Sequence, residues 1–356
     1  MRTIAALLSS VLFTTAIRAD PAPDPAIANA VEKSLKRIAQ GAINYPKQRQ
    51  CFSCHHQAMA VLSMTAARQR GFAIDADLLQ KQIDFSLRTF RAKSIIAKGQ
   101  AVGGDSTGVV YALQAFAAVD RPYDDTMAAL VSYLLVKQRK DGSWPIAAGG
   151  DRPPTMGSLF TNAGPALFVL KRYSPPKDAP GAAELQRRID AAFAKGRDWL
   201  LANKPVSTED KVFHLRGLVY GGVVAKDIEA ARERLLKEQR PDGSWAQLAK
   251  MSGDAYATAT VLVALRHAGL DSGHEAYQKG VKYLLDTQKA DGAWIVQTRS
   301  RPLQRFFDNG DPGGKSQFIS FAATNWAVLA LLETIPPTAT PGSLDVGDPF
   351  LYSFPL

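Results

Sequence analysis

Two thiols and an imidazole stand together in this chain as Cys51-Phe52-Ser53-Cys54-His55, and no other cysteine occurs in the 356 residues. C-x-x-C-H reads first as covalent attachment of haem c: each thiol adds to a vinyl group, and the histidine ligates the iron. Cys51, Cys54 and His55 are therefore the candidate cofactor residues, with His56, Met59 or Met64 as the candidate sixth ligand. Lys47 and Arg49, just upstream, are placed to meet the propionates. Three other readings stay open for the same residues: a Cys51–Cys54 disulfide, a metal site using Cys51, Cys54 and His55 or His56, and thiols without a role.

The elements around this site begin with an export signal. Arg2, the apolar run Ile4–Ile17 and Ala19 before Asp20 read as a cleaved signal over residues 1–19, followed by a Pro-rich linker at 20–26. The run of about 14 residues is too short to span a bilayer. An exported, periplasmic or secreted location is expected, with no integral membrane segment after cleavage. The net charge is +10, or +8 without Arg2 and Arg18. No dense basic stripe with interleaved aromatics is present, so a nucleic-acid partner is not expected.

Internal repetition covers most of the rest. Leu134–Trp144, Leu235–Trp245 (LLKEQRPDGSW) and Leu284–Trp294 (LLDTQKADGAW) align, and a degenerate copy starts at Trp199. In each copy an amphipathic helix ends near the Gln, Asp-Gly makes the turn, and the Trp folds back on the helix end. This motif reads as a fastener between helices. Amphipathic helices are predicted over 28–40, 76–90, 123–138, 183–202, 227–239 and 275–288. Apolar, buried helices are predicted over 54–70, 106–119, 159–172, 211–224, 254–268 and 320–334. Strict alternation of the two kinds predicts an all-α closed ring, an (α/α)6 toroid with inner and outer helices, over 27–335. A Pro- and Gly-containing tail follows at 336–356.

The Gln-x-x-Asp-Gly-x-Trp segments resemble the QW repeats of squalene-hopene cyclases. Ser320–Leu331 and Tyr256–Leu265 resemble inner helices of that terpenoid cyclase/protein prenyltransferase superfamily. The resemblance covers about residues 100–335 and implies the α/α toroid. It also places Asp254, in Met251-Ser252-Gly253-Asp254, where the cyclases carry an acidic Asp-x-Asp-Asp motif; only one Asp is present here. Asp124-Asp125 falls at the start of an outer helix, away from a cavity. The zinc-holding Asp, Cys and His of the prenyltransferases have no counterpart at either cysteine.

Asp105, Asp254 and His214 are the candidate catalytic residues inside the ring, with Asn162 and Tyr220 beside them. Asp105 and Asp254 also suit helix N-caps. The loop Asp308–Lys315 reads as a lid or a cation-binding loop without EF-hand spacing. The first functional expectation is electron transfer or haem-assisted redox chemistry with a redox partner protein. The second is a cyclase-like enzyme acting on an apolar isoprenoid, with Asp254 as the acid. The third is a non-catalytic toroid that binds a protein or glycan.

Overall fold

A computed structural model describes residues 23–146, 158–300 and 306–338. The signal expected at 1–19 and all of the tail beyond Thr338 lie outside these residues. In chain order the helices are α1 (Pro25–Gln48), α2 (Met59–Gln69), α3 (Ala76–Thr89), the short α4 (Lys93–Ile96), α5 (Asp105–Ala118), α6 (Asp125–Lys137), α7 (Phe160–Arg172), α8 (Ala182–Ala202), α9 (Thr208–Tyr220), α10 (Ala225–Leu236), α11 (Ala255–His267), α12 (Glu275–Thr287) and α13 (Gln317–Leu332). No strand occurs among the described residues; Trp245 and Asp254 make one isolated bridge.

The apolar helices form a closed circle. Each of α2, α5, α7, α9, α11 and α13 packs on the next, and α13 returns to α2. The amphipathic α1, α3, α6, α8, α10 and α12 jacket them, and α12 meets α1. The fold is the predicted (α/α)6 toroid. Inner helices are buried on every side, so their cores read as nearly continuous apolar runs; outer helices bury one stripe and stay polar elsewhere. Because each outer helix precedes its inner helix, all inner helices run the same way, and their N-termini share one rim.

The repeated motif fastens outer helix to outer helix. The indole nitrogens of Trp144, Trp245 and Trp294 donate to the carbonyls of Leu134, Leu235 and Leu284 at 2.7–2.8 Å. The Gln138 amide donates to Ala192 of α8, Gln239 to Ala276 of α12, and Gln288 to Ala30 of α1. The third copy thereby closes the ring. Gly243 has φ +84° and approaches the Lys279 carbonyl so closely that a Cβ would lie 2.4 Å from it. Both the turn and the contact require glycine. At the far end of the ring, Glu333 lies between Arg70 and Arg266, and Arg70 also donates to the Ile335 carbonyl.

Several boundaries differ from the expectation, each for a local reason. Helix α1 starts at Pro25, capped by Asp24, and continues to Gln48 past Pro46. Helix α9 starts at Thr208, three residues before the predicted Lys211. Ser207 and Asp210 form a reciprocal capping box there. Helix α13 starts at Gln317, whose side chain ties down Phe307 and Asn309. Cys54–Ala58 is a single π-helical turn that leads into α2.

Candidate functional site

The rim made by the inner-helix N-termini gathers most of the polar chemistry. Glu209, in the first turn of α9, is only 3% exposed. The Tyr256 hydroxyl of α11 donates to its carboxyl oxygens at 3.3 and 3.1 Å, and the Thr161 hydroxyl of α7 donates at 3.4 Å. Burial pushes the Glu209 carboxyl up to about 8. Hydrogen bonds from Tyr256 and Thr161 and the charge of Arg299 pull it down, while Asp210 adds to the rise; burial outweighs the opposing effects. At neutral pH Glu209 is therefore mainly a carboxylic acid, able to give a proton to a group placed beside it.

Its surroundings are aromatic. Tyr111 of α5 is buried, and the nearby Glu209 and Cys54 reinforce the rise that burial gives its phenol. Tyr256 is held well above the ordinary tyrosine range, first by burial and then by Glu209. Asp254 sits at the same rim. Its Oδ1 accepts from the Ala257 backbone as the N-cap of α11, and its Oδ2 accepts from Gln247 at 3.0 Å. Burial raises its carboxyl too. Gln247 in turn accepts from Arg299 at 3.1 Å. The predicted acid Asp254 is thus engaged at both oxygens in capping and bridging.

The structure separates the other candidates. Asp105 is the first residue of α5, at φ +50°, and takes Tyr133 and Lys137 of the outer helix α6 at 3.1 Å each. The cap position belongs to Gly104. His214 is buried, bonded to the Leu200 carbonyl at 3.1 Å and packed on Phe160. Asn162 donates to the Pro145 carbonyl.

The thiol-imidazole motif lies on the same rim, with Cys54 and His55 on the π-helical turn and Cys51 in the loop before it. Cys51 is exposed and Cys54 half-buried, and they are not joined by a disulfide. The Tyr45 hydroxyl is 3.7 Å from the Cys51 sulfur. His55 pairs its Nδ1 with the Ser53 hydroxyl at 2.9 Å and stacks on Phe318. His56 is wholly buried, its Nε2 on Asp311 at 2.7 Å and its ring stacked on Phe321 and Tyr45. Met59 and Met64 are core residues. Lys47 bonds Asn44, and the Arg49 guanidinium lies 4.0 Å over Phe307. The loop expected to be a lid is anchored: Asn309 donates to Gly41 of α1 and to Asp311, which holds His56.

Sequence reasoning missed Glu209, Tyr111 and Arg216. The signal for Glu209 was available as Ser207-x-x-Asp210, a helix-start signature that moves Glu209 from a loop to an inner-helix first turn.

Residues 211–338, from α9 to α13, match the squalene-hopene cyclase C-terminal domain family. A squalene–hopene cyclase of Zymomonas mobilis is 37% identical over 106 residues, which is 30% of this chain and 15% of that enzyme. This chain thus matches only a small part of its curated relative. Among solved structures, an Asp-to-Ala variant of the type II terpene cyclase MstE from Scytonema, in complex with merosterolic acid A, aligns at TM-score 0.54 and 14% identity. That alignment covers 87% of this chain and 98% of that one. A protein from Actinoplanes aligns at TM-score 0.56 and 12% identity, over 87% and 100%. A glycosidase variant aligns at TM-score 0.54 and 13% identity, over 87% and 98%. At these identities the structural likeness shows the fold alone.

Proposed function

We propose that this toroid is a cyclase-like acid catalyst for an apolar, isoprenoid-like substrate, with Glu209 as the proton donor. The observation that carries it is a buried carboxyl held up to about 8 at the rim of an aromatic ring interior. The likeness of residues 211–338 to the squalene-hopene cyclase C-terminal domain family supports an isoprenoid-like substrate class. In the proposed step the Glu209 O–H proton adds to one alkene carbon, and the π pair becomes the new C–H bond. The neighbouring carbon becomes cationic, and the π pair of a second alkene closes a C–C bond onto it. The final cation loses a proton to water, and Glu209 regains one from water. The buried Tyr111 and Tyr256 near Glu209 supply aromatic surface that favours a developing positive charge. Tyr256 and Thr161 hold the carboxyl group in place; Asp254, engaged as a cap, orients α11 beneath Tyr256.

The test uses the full chain with squalene and with geranylgeranyl aryl ethers in deuterated water, followed by mass spectrometry of the products. One deuteron per cyclised product with the native protein, and none with Glu209→Gln, is the expected result. Unchanged turnover in Glu209→Gln, or hydrolysis of glycosides with no isoprenoid conversion, overturns the reading.

A second reading has its own support. We propose that Cys51 and Cys54 carry haem c with His55 as iron ligand in an exported protein. The Ser53 hydroxyl on His55 Nδ1 orients the imidazole that follows the second thiol at the rim. Bound there, the haem would supply one-electron chemistry at the rim. A pyridine haemochrome band and a mass increase of one haem, both lost in Cys54→Ser, are expected. A colourless protein from a host with cytochrome c maturation machinery removes this reading.

A further inference from the structure

The same inner helix that carries Glu209 also carries a buried cation, Arg216, deep in the ring. It is 1% exposed. Its Nη2 donates to the Tyr220 hydroxyl at 2.9 Å, and its guanidinium lies 5.4–5.6 Å from the rings of Phe213, Tyr220 and Trp326. Among the described residues no carboxylate lies within 4 Å of it. Its Nε is buried without a hydrogen-bond partner. Two further buried donors share this interior without a partner: the Trp326 indole nitrogen and the Tyr111 hydroxyl. Tyr111 is close enough for the Arg216 charge to pull its phenol down against burial.

A desolvated guanidinium is costly unless an anion or well-placed acceptors compensate it. Aromatic faces return part of that cost through cation–π attraction, but they accept no hydrogen bond from Nε. The Arg216 Nε and the two neighbouring donors therefore call for a hydrogen-bond acceptor that carries negative charge. A single positive charge balances a single negative one. Its fork matches a carboxylate, whereas a phosphate dianion would leave excess charge in an apolar ring.

We propose that the ring interior binds an apolar monocarboxylate, its head group on Arg216, Trp326 and Tyr111 and its hydrocarbon directed toward the rim. Glu209 and Arg216 are seven residues apart on one helix, about 10 Å along its axis. That spacing places the head group two helical turns from the acid. Such a ligand neutralises Arg216, which would otherwise oppose cation formation nearby. Its identity as the substrate rests on the acid role given to Glu209; its binding does not.

The experiment therefore reads binding, by calorimetry on the full chain with three probes of one chain length: farnesoic acid, farnesol and farnesyl monophosphate. The acid is expected to bind at least 10-fold more tightly than the alcohol and more tightly than the phosphate. Arg216→Met, which removes the buried charge at similar volume, is expected to erase the preference for acid over alcohol. Tyr111→Phe is expected to reduce it several-fold. Equal binding of acid and alcohol by the native chain means that water alone satisfies these donors, and overturns the proposal. So does preference for the phosphate, or an acid preference that persists in Arg216→Met. Should Arg216→Met fail to fold, the native probe ratio and Tyr111→Phe still decide. In Glu209→Gln the acid preference is expected to survive, so failure of the catalytic reading and failure of this one give different results.

Discussion

Glu209 and Asp254 divide between them the acid and N-cap roles that the cyclase resemblance and the helix-start position together gave to Asp254. Both are buried carboxyls at the rim, and both are pushed upward by burial. Asp254 accepts a backbone N–H and an amide, whereas Glu209 accepts only hydroxyl donors. Glu209→Gln is expected to lower turnover by 10²- to 10⁴-fold, the usual worth of a general acid. Asp254→Asn, which keeps a good cap, is expected to lower it only a few-fold, as steady-state rates on the same substrate will tell. The native rate should be level below pH 8 and fall tenfold per unit above it, because the protonated carboxyl is the active form. Stability carries the same signature. Below the ordinary glutamate value of 4.5, Glu209 is protonated folded or unfolded and costs nothing. Between 4.5 and about 8 the unfolded chain releases a proton that the folded chain keeps, so stability falls as pH rises. Glu209→Gln cannot ionise. Its unfolding free energy relative to native should rise from no gain at pH 4 to a gain of a few kcal/mol at pH 9, measured by urea denaturation.

At the element scale the fold was legible because the ring separates its helices by solvent exposure. Inner runs such as Ala255–His267 are apolar throughout, and outer ones such as Glu275–Thr287 have one polar face. The repeats marked the outer corners, and the Trp and Gln side chains bond where their chemistry required partners. Glu209 was not legible by periodicity, since polar residues ahead of an apolar run resemble a loop until the capping box is recognised. Arg216 was hidden for a different reason: a charged residue between apolar neighbours signals nothing until the fold shows that α9 has no solvent face. The short α4 and the π-helical turn leave no pattern at all. Two substitutions test these element-level causes. Ser207→Ala removes the acceptor for the Asp210 N–H. It should cost about 1 kcal/mol, and it should lower turnover as well by loosening the turn that aims Glu209. Gly243→Ala forces a Cβ against the Lys279 carbonyl at positive φ, and should cost about 2–4 kcal/mol in urea unfolding, more than Ser207→Ala.

For the whole molecule, closure makes the first and last of the described helices part of the same structure as the middle. The amide of Gln288 reaches the Ala30 carbonyl and the Ser34 hydroxyl on the first helix, and the Ser34 hydroxyl donates to the Gly292 carbonyl. The comparable Gln239 joins α10 to α12, two neighbours in the middle of the ring. In an open stack, losing a terminal contact frays only the terminal unit, while losing a middle one breaks the array. In a closed ring the two positions are equivalent, because α2 also packs on α13 and α1 cannot leave alone. Gln288→Ala and Gln239→Ala each remove a comparable set of amide hydrogen bonds, worth about 1–2 kcal/mol in total. Both are expected to lower Tm by a similar few degrees in one cooperative transition. Amide exchange adds the sharper comparison. In Gln288→Ala, protection of α1 should fall in step with that of α9 and α11 across the ring. Selective loss of protection in α1, with the opposite side unchanged, would show that the ring opens at this seam and behaves as a stack with ends.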